Sequence, residues 1–113
     1  FDVKFSDADV VQPDMFVVRG DWGAVLTEDF MVGAPDLVVE VLSPSNRGHD
    51  LLTKAALYQR NGVPEYWVVD PECRQIVVNV LTGGRYAAQP VEDGAVRSTV
   101  LPGLVVTLAD VFP

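Results

Sequence analysis

Short apolar runs separated by Gly, Pro and Asp clusters dominate this chain. One of them, Leu37–Leu42 (LVVEVL), is interrupted by a single acid. Its near-continuous apolar character predicts a central strand buried on both faces, and therefore covered by helices or a partner. Side chains on a strand alternate between faces, so Glu40 shares a face with Val38 and Leu42. A lone carboxylate on an apolar face is costly unless it is paired, hydrogen-bonded or bound to a cation. Two structural readings stand beside a functional one: Glu40 pairs with a buried Lys or Arg, or its face of the strand is exposed.

Upstream, alternation predicts strands at Val3–Phe5 and Val10–Arg19, the second bent at Pro13, which has no N–H for a ladder. On the bent strand Asp14 shares a face with Phe16 and Val18. As half of a Pro-Asp pair, Asp14 could equally do no more than cap the bend. Gly20 to Gly33 reads as a surface loop, with Trp22 packing down on the core. Past the Ser43-Pro44-Ser45-Asn46 break, a helix should begin near His49 or Asp50 and run to about Asn61, stopped by Gly62. Asp50, Lys54 and Tyr58 lie four apart and form one stripe on it, beside the apolar Leu51, Ala55 and Leu57. Asp50 and Lys54 alone could be an exposed pair worth only about a few tenths of a kcal/mol. Strands follow at Glu65–Asp70, Gln75–Leu81 and around Tyr86–Ala88. Weaker strand signals at Ser98–Leu101 and Leu104–Leu108 precede a helical turn at Ala109–Phe112. The pattern predicts one α/β domain over residues 1–113, with more strand than helix.

Composition narrows the function classes. At 113 residues, 49% hydrophobic and 21% charged, the chain can bury one core. No apolar run approaches the roughly 20 residues needed to span a bilayer. Cys73 is the only cysteine, so no disulfide can form within the chain, which fits a reducing cytoplasm. With His49 the only histidine, there is no zinc-ligand cluster. The net charge of −8 argues against gripping nucleic acid by a broad basic surface. It leaves room for an acidic site that recruits a metal ion, which then meets a phosphate.

Asp14, Glu40 and Lys54 are the candidate reactive groups. Two carboxylates on neighbouring strands suit a hard cation such as Mg²⁺, which takes one or two carboxylates plus waters and phosphate oxygens. A lysine reaching over from the next helix could stabilise charge growing on phosphorus or position the attacking water. Spacing alone does not single out this chemistry, and a plain Lys54–Glu40 ion pair stands as an alternative.

Order and context add to it. QPD at Gln12–Asp14, PDLVVEVLSPS at Pro35–Ser45, the run from Asp50 through Lys54 and Tyr58, and GVPEYWVVDP at Gly62–Pro71 closely resemble the Uma-two family. These are restriction-endonuclease-like proteins of the PD-(D/E)xK nuclease superfamily, and the resemblance covers nearly the whole chain. It implies a mixed β-sheet flanked by helices, with a divalent-metal site on the sheet's edge. It also implies a metal-dependent endonuclease that hydrolyses DNA phosphodiester bonds with Mg²⁺ or Mn²⁺. Asp14 matches the superfamily's first acid, Glu40 its second, and Val41 the residue whose main-chain carbonyl is a metal ligand. The usual lysine two residues after the second acid is replaced by Leu42, and Lys54 resembles a migrated substitute. Gln12, Arg47, Asp50 and Tyr58 match recurrent family positions, with substrate contact, lysine orientation and packing as candidate roles. The resemblance also implies an N-terminal segment with helices and a further acidic position ahead of these strands; the expectation is a chain truncated relative to the family, with a bare sheet face and a homodimer or a non-native association. The alternative to a nuclease is a binding or scaffold domain that keeps the fold without turnover.

Overall fold

The computed structural model describes residues 2–19, 25–26, 30–44 and 48–113. Short strands come first: β1 (Asp2–Lys4), β2 (Val10–Val11), β3 (Met15–Val17), β4 (Val25–Leu26) and β5 (Phe30–Val32). The central elements are β6 (Leu37–Val41), α1 (His49–Arg60), β7 (Glu65–Asp70), β8 (Gln75–Thr82) and β9 (Arg85–Ala88). After them come β10 (Ala95–Arg97), β11 (Val105–Thr107) and α2 (Leu108–Val111).

The main sheet runs β3-β6-β7-β8-β9, with β6 and β7 parallel and the other neighbours antiparallel. Parallel neighbours need a crossover, and α1 supplies it. The helix ends where the sequence pattern predicts. Gly62 takes φ 75°, a region that favours glycine. The N–H groups of Gly62 and Val63 cap the carbonyls of Gln59 and Tyr58 at 3.2 and 3.1 Å.

Strand alternation sends side chains into two separate cores. Beneath α1, Val38, Tyr58, Val63 and Tyr66 form a buried cluster, with Phe5, Val11, Leu51 and Ala55 packed against it. On the other face Leu37, Trp67, Ile76 and Val78 pack with Val96 of β10, and with Leu108 and Phe112 at the end of the chain. Burial on both faces is what the LVVEVL run predicted. The architecture is a mixed α+β fold. Among the described residues no helix is long and apolar enough to cross a membrane.

Three expectations need correction. The single bent strand Val10–Arg19 is two strands in different sheets: β2 pairs with β1, and β3 pairs with β6. Pro13 cannot donate to a ladder, and Asp14 leaves the strand to bond a neighbour instead. Within Gly20 to Gly33, Val25–Leu26 and Phe30–Val32 form β4 and β5, and Met31 is fully buried. Flanking glycines disguised a short β-prone run there. The predicted strand Ser98–Leu101 is a turn, with the strand displaced to β10. Trp22 lies outside the described residues.

That turn is organised by Glu65, an acid with no exposure at the start of β7. Its Oε2 accepts the Trp67 indole N–H at 2.9 Å and the Ser98 hydroxyl at 2.6 Å. Its Oε1 accepts the Thr99 backbone N–H at 2.7 Å and the Thr99 hydroxyl at 2.9 Å. Four donors satisfy one buried carboxylate and pin the C-terminal segment over the Trp67 face. Removing the acceptor strands buried donors, at about 1–3 kcal/mol each. Glu65→Ala should therefore lower unfolding free energy by about 3 kcal/mol or more in urea titration, and a loss below about 1 kcal/mol would contradict this role.

Candidate active site

The parallel pair β6–β7 and the crossover helix converge at the C-terminal end of β6. Glu40 sits there on the helix-facing side, only 2% exposed. α1 returns over it with Lys54 and Tyr58, one turn apart on the same stripe. The Tyr58 hydroxyl donates to Glu40 Oε1 at 2.5 Å. Lys54 Nζ approaches Glu40 Oε2 at 3.4 Å, with its side chain 25% exposed. Lys54 thus touches the buried acid while remaining open to solvent.

Asp14 reaches the same strand end from the other side. β3 is registered on β6 from Val17↔Leu37 to Met15↔Val39, and then the chain turns away at Asp14. The Asp14 carboxylate takes over from the ladder: its Oδ2 accepts the Val41 backbone N–H at 2.7 Å. One acid is therefore bonded to the residue that follows the other. Asp14 is exposed and Val41 partly so.

The charge balance is uneven. Burial holds Glu40's carboxyl above its ordinary value of 4.5, and the nearby Asp14 charge pushes it the same way. The Tyr58 hydrogen bond and Lys54 oppose the shift without cancelling it. Burial, then the Glu40 contact, raises the Tyr58 hydroxyl too, so it stays a proton donor.

Of the remaining predicted residues, Gln12 is committed to Asp2, its Nε2 donating to Oδ1 at 2.7 Å. Asp50 is exposed in the first turn of α1. Arg47 lies outside the described residues. Sequence reasoning missed two features. The Tyr66 hydroxyl is buried beside Tyr58, with ring centroids 5.3 Å apart, and has no hydrogen-bond partner among the described residues. Arg60 is bonded to Asp9 at 3.0 Å, a pairing across 51 residues that carries no local signal. Among the described residues no three His, Cys, Asp or Glu side chains cluster as metal ligands.

A carboxyl whose proton is held more tightly in the fold than in the unfolded chain stabilises the fold while protonated. Its contribution is complete below the unfolded value near 4.5 and is lost as pH rises through the raised folded value. In chelator-containing buffer, Glu40→Gln should gain stability relative to the parent chain as pH goes from about 4 to about 7. Urea unfolding of both proteins across that range checks this, and a constant difference between them would refute it.

Comparison with known proteins bears on this geometry. No curated protein matches the chain. A crystal structure from Anabaena variabilis ATCC 29413, described as "a putative nuclease belonging to DUF820", superposes with a TM-score of 0.70 at 18% identity. The match covers 98% of this chain and 64% of that one, so this sequence spans about two thirds of its structural neighbour. At that identity the likeness establishes the fold alone, a mixed α+β architecture shared with that structure. The family model Uma2, described as "Putative restriction endonuclease", matches residues 1–109. The chain belongs to the Uma2 family.

Proposed function

We propose that this protein is a divalent-metal-dependent endodeoxyribonuclease. Asp14, Glu40 and the Val41 main-chain carbonyl would hold one Mg²⁺ or Mn²⁺, and Lys54 would act beside it. The observation that carries the reading is the meeting of Asp14, Glu40 and Lys54 at one strand end, from three elements distant in sequence.

The donor set fits a hard cation. Both side chains offer carboxylate oxygens, and each oxygen has lone pairs beyond the one bond described for it. Glu40 is under-compensated by Tyr58 and Lys54, as its raised proton affinity indicates, and Asp14 adds to the repulsion. A positive ion between the two acids would relieve both. Bound there, it would polarise a phosphoryl oxygen and acidify a coordinated water.

The chain's own groups have distinct tasks. Tyr58 fixes the rotamer of Glu40 by donating to Oε1. Asp14 is oriented by the Val41 N–H, which leaves its other oxygen for the ion. The Lys54 ammonium can donate to a non-bridging phosphate oxygen as charge grows in the transition state, or orient the attacking water.

One observation favours a second reading, a nuclease-fold scaffold without turnover. Glu40 already has a hydroxyl and an ammonium for partners, the arrangement of a structural ion pair. Calorimetry with Mn²⁺ separates the two: the scaffold predicts no binding that depends on Asp14 and Glu40. Self-association also stays in the proposal, since Leu52 and Met15 are 69% and 60% exposed.

The nuclease reading predicts Mg²⁺- or Mn²⁺-dependent cutting of DNA, lost in Asp14→Ala and Glu40→Ala while circular dichroism reports an intact fold. Lys54→Ala should retain metal binding yet lose roughly 10²–10³-fold in rate. Full cleavage by Glu40→Ala would sink the assignment.

A further inference from the structure

Beside the strand end a groove of about 570 Å³ runs along α1. From α1 it is lined by Asp50, Thr53, Lys54, Leu57 and Arg60, and residues 8–12 form the opposite wall. The groove therefore opens directly onto the ammonium that touches Glu40. Lys54 and Arg60 lie six residues apart, about 9 Å along the helix axis. That separation is two to three nucleotides at about 3.4 Å per nucleotide of a B-form strand.

Charge makes the location informative. The chain has 8 basic residues against 16 acids, so a phosphate backbone meets repulsion over most of the surface. Two of those cations, Lys54 and Arg60, line this groove together with the acids Asp9 and Asp50. The apolar groove of about 420 Å³ on the other side of α1 is lined by no Lys or Arg. Arg60 is held but not used up. One of its terminal nitrogens donates to Asp9 Oδ1 at 3.0 Å, while its side chain is 60% exposed. A guanidinium has five N–H donors in a fork suited to phosphate, more than a single bond to Asp9 can occupy. Asp9, also bonded by Asn61 Nδ2 at 3.4 Å, stands where a phosphate would have to compete with it.

We propose that this groove seats the DNA strand on one side of the scissile phosphate, with Arg60 gripping a backbone phosphate and Asp9 acting as the counter-ion that weakens that grip. The proposal rests on the nuclease reading for the identity of the strand. Arg60 acts in binding and stays outside the reaction centre.

The test is anisotropy of a labelled DNA oligonucleotide with Mg²⁺, titrated with the wild-type chain, Arg60→Ala and Asp9→Asn at several salt concentrations. Arg60→Ala should weaken binding about tenfold and reduce the slope of log affinity against log salt by roughly one phosphate contact, 0.7–0.9. Asp9→Asn should tighten binding about threefold or more. Both variants break the same ion pair, so a purely structural clamp would move both affinities in one direction. Shifts in the same direction, an unchanged Arg60→Ala, or no binding by the wild type would overturn the groove assignment. Cleavage is scored separately: a wild type that cuts DNA while Arg60→Ala binds normally refutes the groove alone. A wild type that binds in the groove as predicted but never cuts with either metal refutes the nuclease reading.

Discussion

Keeping a carboxylate at 2% exposure on the helix-facing side of β6 is the constraint on which the rest of the site depends. Removing such a charge from water costs on the order of several kcal/mol. One hydrogen bond from Tyr58 returns about 1.5–3 kcal/mol. A partly exposed lysine at 3.4 Å adds only about 0–1 kcal/mol. The compensation falls short, in keeping with the upward push on Glu40's proton affinity. Even that partial compensation demands that α1 present Lys54 and Tyr58 on one stripe. It also demands a crossover that returns the chain through Gly62 into β7, parallel to β6.

Glu65 shows what the same residue type looks like when its work is structural. It is as buried as Glu40, yet four neutral donors converge on it and tie β7 to the turn at Ser98 and Thr99. No cation is needed there, and the acid serves as a rivet. Glu40 has two donors, one of them a cation that reaches solvent, and a second acid bonded to the next residue. The difference lies in how completely each charge is answered. An incompletely answered acid can take part in chemistry because it still gains from a cation.

Much of this was legible in the chain. An acid inside LVVEVL stands out whatever the fold, and the stripe Asp50, Lys54, Tyr58 with Gly62 behind it marks helix and stop together. β7 and β8 followed from β-branched and aromatic runs set off by Pro71 and by Gly83-Gly84. The failures share a cause: long-range bonds overrode local pattern. Asp14 left its strand for the Val41 N–H, so one predicted strand became two. Ser98 and Thr99 turned towards Glu65 33 and 34 residues earlier, so a strand signal became a turn. Nothing near Glu65 in sequence names those donors, and nothing near Arg60 names Asp9. A spacing of 14 residues between strand and helix has no periodic signature, so the residues alone offered Lys54 beside Glu40 without choosing between an ion pair and a catalytic lysine, and the family resemblance supplied the catalytic role.

The acidic balance of the chain is compatible with a DNA substrate once the site is considered as a charged whole. Asp14 and Glu40 alone would repel a phosphodiester, but a divalent ion held by both, as proposed, would cancel their charge and offer the phosphate a Lewis acid. Lys54 would then leave a local surplus of positive charge at the strand end. With 8 basic residues against 16 acids, long-range steering would contribute little, and DNA binding would rest on a small number of close phosphate contacts. Such a protein would show a shallow dependence on salt and a steep dependence on metal, the reverse of a basic DNA-coating protein.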